Sequence, residues 1–171
     1  MAHVVTFISC TLGHYNMYGS VKMIHRVYKN GVLAAEVDPA VKSIFAVLFG
    51  TAYSLSATDA VTGASITISN EKPSAFYLGL GYTAETPYCS HADTTIGATV
   101  VYETIPSVAE HDRGYTLKMT FQPTSAVQFN VVYVVAHYPD GKRVLVYRGC
   151  HSTPITVSAD EALSVEVVFS V

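Results

Sequence analysis

Val127 to Tyr138, reading VQFNVVYVVAHY, is a nearly continuous apolar run in a chain of 171 residues. Its β-branched content suits a strand, and a strand without polar alternation is one buried on both faces. Such a strand has to sit inside a sheet that is covered on two sides, so much of the remaining chain must serve as cover. Pro139-Asp-Gly-Lys142 turns this run back into Val144 to Arg148, which predicts a hairpin.

The rest of the chain supplies candidate cover. Val21 to Tyr28 and Val32 to Val37 flank Lys29-Asn30-Gly31, and Asn-Gly between strand-like segments predicts a second hairpin. Tyr53 to Leu55 and Ser65 to Ser69 read as short strands around a Thr62-Gly63 turn, and Ala98 to Ile105 as another. In Tyr115 to Phe121 the residues Tyr115, Leu117, Met119 and Phe121 share one face; Leu163, Val165, Val167 and Phe169 do the same near the end. Pro106 to Gly114, with its Glu110-His-Asp-Arg cluster, reads as an exposed connection, and His151 to Pro154 as a break before Ile155 to Val157. One helix is predicted: Asp38 as N-cap, Pro39 at the first position, and Val41, Ile44, Phe45 and Leu48 at helical spacing before Gly50. The fold class read from this pattern is mainly β, an antiparallel β-sandwich of about nine or ten strands with one short α-helix. Asn70 to Ser74 is too short for a linker, so residues 1–171 read as a single domain with an N-terminal strand or arm over about residues 1–20.

Composition narrows the partners. Only 13% of the residues are charged and the net charge is −3, which argues against a duplex-binding protein; no basic cluster overturns that. A surface poor in charge is neutral or covered by partners, and twelve Tyr with no Trp favour contact area with a polar tip. The longest apolar runs are strand-sized and the N-terminal segment does not read as a signal peptide, so neither a membrane span nor secretion is expected. Cys10, Cys89 and Cys150 are odd in number and lack metal spacing, which reads as reduced, small buried residues in a protein made in a cytoplasm.

Ala75 to Gly97, AFYLGLGYTAETPYCSHADTTIG, divides the chain. A short apolar strand runs into Gly79-Leu80-Gly81, where a side chain would block a turn or a close approach, and a polar loop stiffened by Pro87 leads to Asp93-Thr-Thr-Ile-Gly97. The order Leu80-Gly81, Pro87, then Asp93-Thr94-Thr95-Ile96-Gly97 resembles a module of bacteriophage virion proteins of the tail-fibre and head-fibre type, whose pattern is Leu-Gly-Thr-Gly-Thr-Thr-Ala-Pro followed by Asp-Thr-Ala-Leu-Gly. The closing Asp160-Glu-Ala-Leu-Ser-Val165 is similar to the last strand of such proteins. Tyr82 and Thr83 depart from the family's Thr-Gly, the loop before Asp93 is about two residues longer, and the family's Glu-Ala-Gly-Leu segment has no counterpart. The resemblance covers roughly Val41 to Val171.

Chemistry is sparse. The seven His show no HxH, HExxH or His-x-x-x-His spacing; His91 with Asp93 is the pair to check first, since i and i+2 side chains point the same way in an extended loop, and it would need one more ligand from elsewhere. Cys150-His151 and His111-Asp112 are neighbours on opposite strand faces, and Glu103 and Glu110 are the carboxylates available to flank a sugar. The chain therefore reads as no enzyme, with no catalytic residue, cofactor or metal assigned. What the resemblance implies is a structural component of a bacteriophage virion, a capsid decoration, head-fibre or tail-associated protein made in the host cytoplasm. It would act on other virion proteins as a homo-oligomer, a trimer if fibre-like. The candidate interface loop is Gly79, Leu80, Gly81, Tyr82, Pro87, Tyr88 and Asp93. The alternative is a host-glycan-binding module in which Tyr82 and Tyr88 stack on sugar faces.

Overall fold

The computed structural model describes residues 22–37, 54–69, 71, 73–90, 92–112 and 114–170. Among them the chain is mainly β, and every strand pairing is antiparallel. The strands are β1 (Lys22–Lys29), β2 (Val32–Val37), β3 (Ser54–Thr58), β4 (Ser65–Ser69), β5 (Ala75–Tyr82), β6 (Thr99–Thr104), β7 (Ser107–His111), β8 (Gly114–Phe121), β9 (Val127–His137), β10 (Arg143–Val157) and β11 (Leu163–Ser170). They form a five-stranded sheet in the order β2-β1-β11-β8-β7, a four-stranded sheet in the order β10-β9-β5-β6, and a β3-β4 ribbon.

The two larger sheets share one apolar cluster. Val27, Leu117, Met119, Leu163, Val165 and Val167 of the first lie in it with Leu78, Leu80, Val132, Val134, Ala136 and Val146 of the second. β9 occupies an interior position in its sheet, and its residues Val131 to Ala136 are fully buried. Alternate residues go to opposite sides, Val132 and Val134 to the shared cluster and Val131, Tyr133 and Val135 to a second cluster with Ala60, Ile96 and Leu145. The long apolar run is thus covered on both faces, as its composition requires.

The hairpin at Asn30-Gly31 forms with both residues at positive φ (48° and 79°), the turn whose twist matches that of its flanking strands. The Pro139 to Lys142 turn joins β9 to β10, closed by the Tyr138 N–H donating to the Lys142 carbonyl at 2.9 Å.

Two segments differ from expectation. Pro106 to Gly114 is not a simple connection, because Ser107–His111 forms β7 and pairs with β8, Val108 opposite Leu117. An edge strand needs only backbone pairing, so its exposed polar side chains mimic a loop in sequence. His151 to Pro154 does not end a strand either: β10 runs through it as a bulge, the pairing stepping from Cys150–Val131 to Ile155–Phe129. Pro154, which has no N–H to donate, is accommodated there without ending the strand. The expected helix from Asp38 to Gly50 and the arm over residues 1–20 lie outside the described residues.

Candidate functional site

Strand β5 delivers the chain to the loop of residues 83–98, and its two glycines are needed for packing. Gly79 pairs with Tyr133 on β9 and Glu103 on β6. A Cβ at Gly79 would overlap the Tyr133 ring, which crosses that gap to donate its hydroxyl to Glu103 Oε2 at 2.7 Å. Burial, then the Glu103 carboxylate, raises the Tyr133 phenol above its ordinary value, so it stays a donor. A Cβ at Gly81 would lie 2.8 Å from that of Ala98, where the loop returns. Both glycines are buried architecture.

The loop is held at its start, middle and end. Asn130, buried on β9, accepts from the Thr83 N–H at 3.0 Å and donates to the Thr83 carbonyl at 2.8 Å. In the middle, Asp93 accepts from the Ser90 N–H at 3.0 Å. At the end, Ile96 is buried and its N–H donates to the Ala60 carbonyl at 2.8 Å. Ala60 is set by Asp59, whose carboxylate accepts from the Val61 and Thr62 N–H groups, the Thr62 hydroxyl and Arg143. Burial pushes the Asp59 carboxyl up, but those donors and the Arg143 charge win and hold it at about 2.

Two groups of β10 brace the loop from beneath. Arg148, its side chain 8% exposed, donates to the Ile96 carbonyl (2.6 Å), the Tyr88 carbonyl (2.9 Å), Asp93 Oδ2 (2.8 Å) and Cys89 Sγ (3.3 Å). Its guanidinium also rests on Gly97, at φ 59°, where a Cβ would come within 3.1 Å of Nη2. Two residues along, Cys150 forms a disulfide with Cys89 across 61 positions of sequence. This overturns the reading of Cys89 and Cys150 as reduced: cysteine spacing carries no trace of a pair that only the folded loop brings together. Cys10 lies outside the described residues.

The opposite face of β10 meets β1. Tyr147, Gly149 and His151 point between the sheets, and His25, fully buried on β1, reaches them. His25 Nδ1 is 2.6 Å from the Tyr147 hydroxyl and His25 Nε2 is 2.8 Å from His151 Nε2. Gly149 makes room, since a Cβ there would overlap the His25 ring. Phe129 closes the cluster edge-on to His151. Burial, with the neighbouring His151, pushes His25 down to about 3, and burial also lowers His151. Both imidazoles are therefore neutral at pH 7, and His25, with a partner on each ring nitrogen, donates through one and accepts through the other.

Of the proposed interface residues, Gly79, Leu80 and Gly81 are buried in β5, Tyr82 and Pro87 are half-buried, Asp93 is bound to Arg148, and Tyr88 alone stands out at 85% exposed. His91, the suggested partner of Asp93, lies outside the described residues. Glu103 and Glu110 sit in different sheets, Glu103 committed to Tyr133 and Glu110 exposed on β7. Cys150 and His151 do face opposite sides, one to the loop and one to His25. Among the described residues, no three His, Cys, Asp or Glu side chains group as metal ligands. Sequence reading missed the His25 cluster, although His25 shares the parity of buried Val27, and it missed Arg148, whose four acceptors lie more than fifty positions away. Compared with protein-family models, curated protein sequences and solved structures, the chain gives no match.

Proposed function

We propose that this protein is a structural component of a bacteriophage particle, a capsid decoration, head-fibre or tail-associated protein, that works by touching other proteins. In this reading the two larger sheets are the layers of an antiparallel β-sandwich. The observation that carries it is where the exposed apolar side chains lie. Val32 and Leu33 are on β2, Val100 on β6, Val108 on β7, and Ile105 links the last two, while Val61 stands apart in the β3–β4 turn. β2 and β7 are the margins of one sheet and β6 a margin of the other. Edge strands carry backbone groups able to pair with another chain, and apolar side chains beside them favour lateral association over isolation in water. The low charge of the chain and the Leu80-Gly81…Asp93-Thr-Thr-Ile-Gly97 resemblance support the same reading.

The test is quantitative mass spectrometry of purified particles, together with light scattering of the isolated chain. The expected results are a fixed copy number per particle and an oligomer that Val108→Lys weakens without loss of fold. Absence from particles, or a monomer at every concentration, would overturn the proposal. The glycan-binding reading is favoured by one observation, the exposed Tyr88 on a braced loop, a flat ring of the kind that stacks on a sugar face. It requires the isolated chain to bind cell-surface glycan and Tyr88→Ala to abolish that binding.

A further inference from the structure

The disulfide and the guanidinium that hold the 83–98 loop are separable restraints, and their arrangement bears on the order in which they form. Arg148 contacts the loop at the Tyr88 carbonyl, at Asp93 and at the Ile96 carbonyl, and none of these needs the Cys89–Cys150 bond. Asn130 on Thr83 and Ala60 on Ile96 fix the two ends independently. The loop can therefore dock on β10 with both cysteines still reduced. In the bonded protein the two Cα atoms are 5.6 Å apart, near the middle of the ordinary disulfide range, so the contacts of the docked loop and the bond fit one backbone geometry. Arg148 then lies against one of the two sulfurs, its Nη1 3.3 Å from Cys89 Sγ. A guanidinium beside a thiol favours the thiolate, which is the form that attacks a disulfide.

We propose that Cys89 and Cys150 are a redox closure site, in which Cys89 is the attacking sulfur, Arg148 is its positioning residue, and the bond closes on an already docked loop once the chain meets an oxidising disulfide. The oxidant is a low-molecular-weight disulfide, RSSR. Cys89 thiolate attacks one of its sulfurs, forming a Cys89–SR mixed disulfide and releasing RS⁻. Cys150, giving its proton to solvent, attacks the Cys89 sulfur and expels the second RS⁻. Two cysteine thiols are oxidised by two electrons, one RSSR is reduced, and the two protons end on two RSH. Cys150 completes the reaction because it sits on the same face of β10 as Arg148, one turn of the pleat away. Closure locks Tyr88, next to Cys89, in its exposed position. The inference rests on the chain alone and stands or falls independently of assembly into a particle.

The experiment starts from the full chain, reduced and desalted, mixed with oxidised glutathione, quenched with an alkylating agent and read by peptide mass spectrometry. The expected result is a transient glutathione adduct on Cys89, then a Cys89–Cys150 cross-link without adduct. Arg148→Gln should slow the first step about tenfold, with Arg148→Lys recovering part of the rate, while circular dichroism of the reduced proteins stays unchanged. Should Arg148→Gln fail to fold, Asp93→Asn provides the second reading: it keeps the guanidinium but loosens the loop, so it should slow cross-linking more than adduct formation. An adduct forming first on Cys150, equal rates in wild type and Arg148→Gln, or no Cys89–Cys150 cross-link would each overturn the proposal.

Discussion

Residues 147–151 of β10 face two environments within one strand, and the polar groups on the two sides are of different kinds. Toward the sheet interior, Tyr147 and His151 meet His25 in a neutral chain of hydrogen bonds. Toward the loop, the Arg148 guanidinium is paired with Asp93 at 2.8 Å although its side chain is just 8% exposed. The inner side is lined by apolar residues of both sheets, no carboxylate among the described residues pairs with either imidazole, and burial drives both to their uncharged form. On the outer side the guanidinium finds a carboxylate and two carbonyls in fixed places, which compensates for its loss of water. What decides whether a buried group keeps its charge is the set of acceptors around it, more than the depth of burial.

The comparison can be broken most forcefully from inside. Gly149→Ala places a Cβ where the His25 ring lies, and the ring must leave both of its partners. A loss of about 3 kcal/mol is expected from overpacking plus orphaned polar groups, measured by urea unfolding. His25→Leu keeps the volume filled but removes the hydrogen bonds to Tyr147 and His151 from a buried site, for an expected loss of about 2 kcal/mol. If instead it is neutral or stabilising, the cluster is incidental to stability.

Acid should separate the faces. His25 is held at about 3 in the fold and returns to about 6.5 on unfolding, so below pH 6.5 the unfolded chain binds the extra proton. Stability from this group is fully present above pH 6.5 and is lost as pH falls from there toward 3, at no more than about 1.4 kcal/mol per pH unit. His25→Gln should flatten that slope in a pH series of unfolding curves. An unchanged slope would show that other groups govern acid sensitivity.

Changes on the outer face should be smaller and local. Asp93→Asn removes the charge that answers Arg148, with an expected loss of about 1 kcal/mol, read as faster hydrogen exchange in residues 83–98 while β9 stays protected. Tyr88→Ala should leave the melting temperature unchanged and affect only binding, because its ring stands in solvent.

The segments legible in sequence are those whose environment repeats along the chain. Val131 to Ala136 is buried on both sides, and its unbroken apolar character says so. Leu163, Val165 and Val167 alternate into the core as their spacing predicts, and Asn30-Gly31 turns as its residues require. Less legible were places where one residue answers another far off. The emptiness at Gly79 has meaning because Tyr133 crosses it, and the space at Gly149 because His25 enters it. β7 reads as a loop because its side chains are exposed and carry no apolar period, while its pairing with β8 runs mainly through the backbone. The loop that Pro87 stiffens in the sequence is held in the fold by groups distant in sequence from it, Arg148, Asn130 and the disulfide to Cys150.

Residue order alone determined that this chain builds antiparallel sheets around a doubly covered strand, because hydrophobic period and turn chemistry act between near neighbours. Which histidine would be dry, which arginine would be buried against a carboxylate and which two of three cysteines would meet were decided by the folded structure. Desolvation, charge compensation and covalent pairing depend on distances in space, and those exist once the chain has folded.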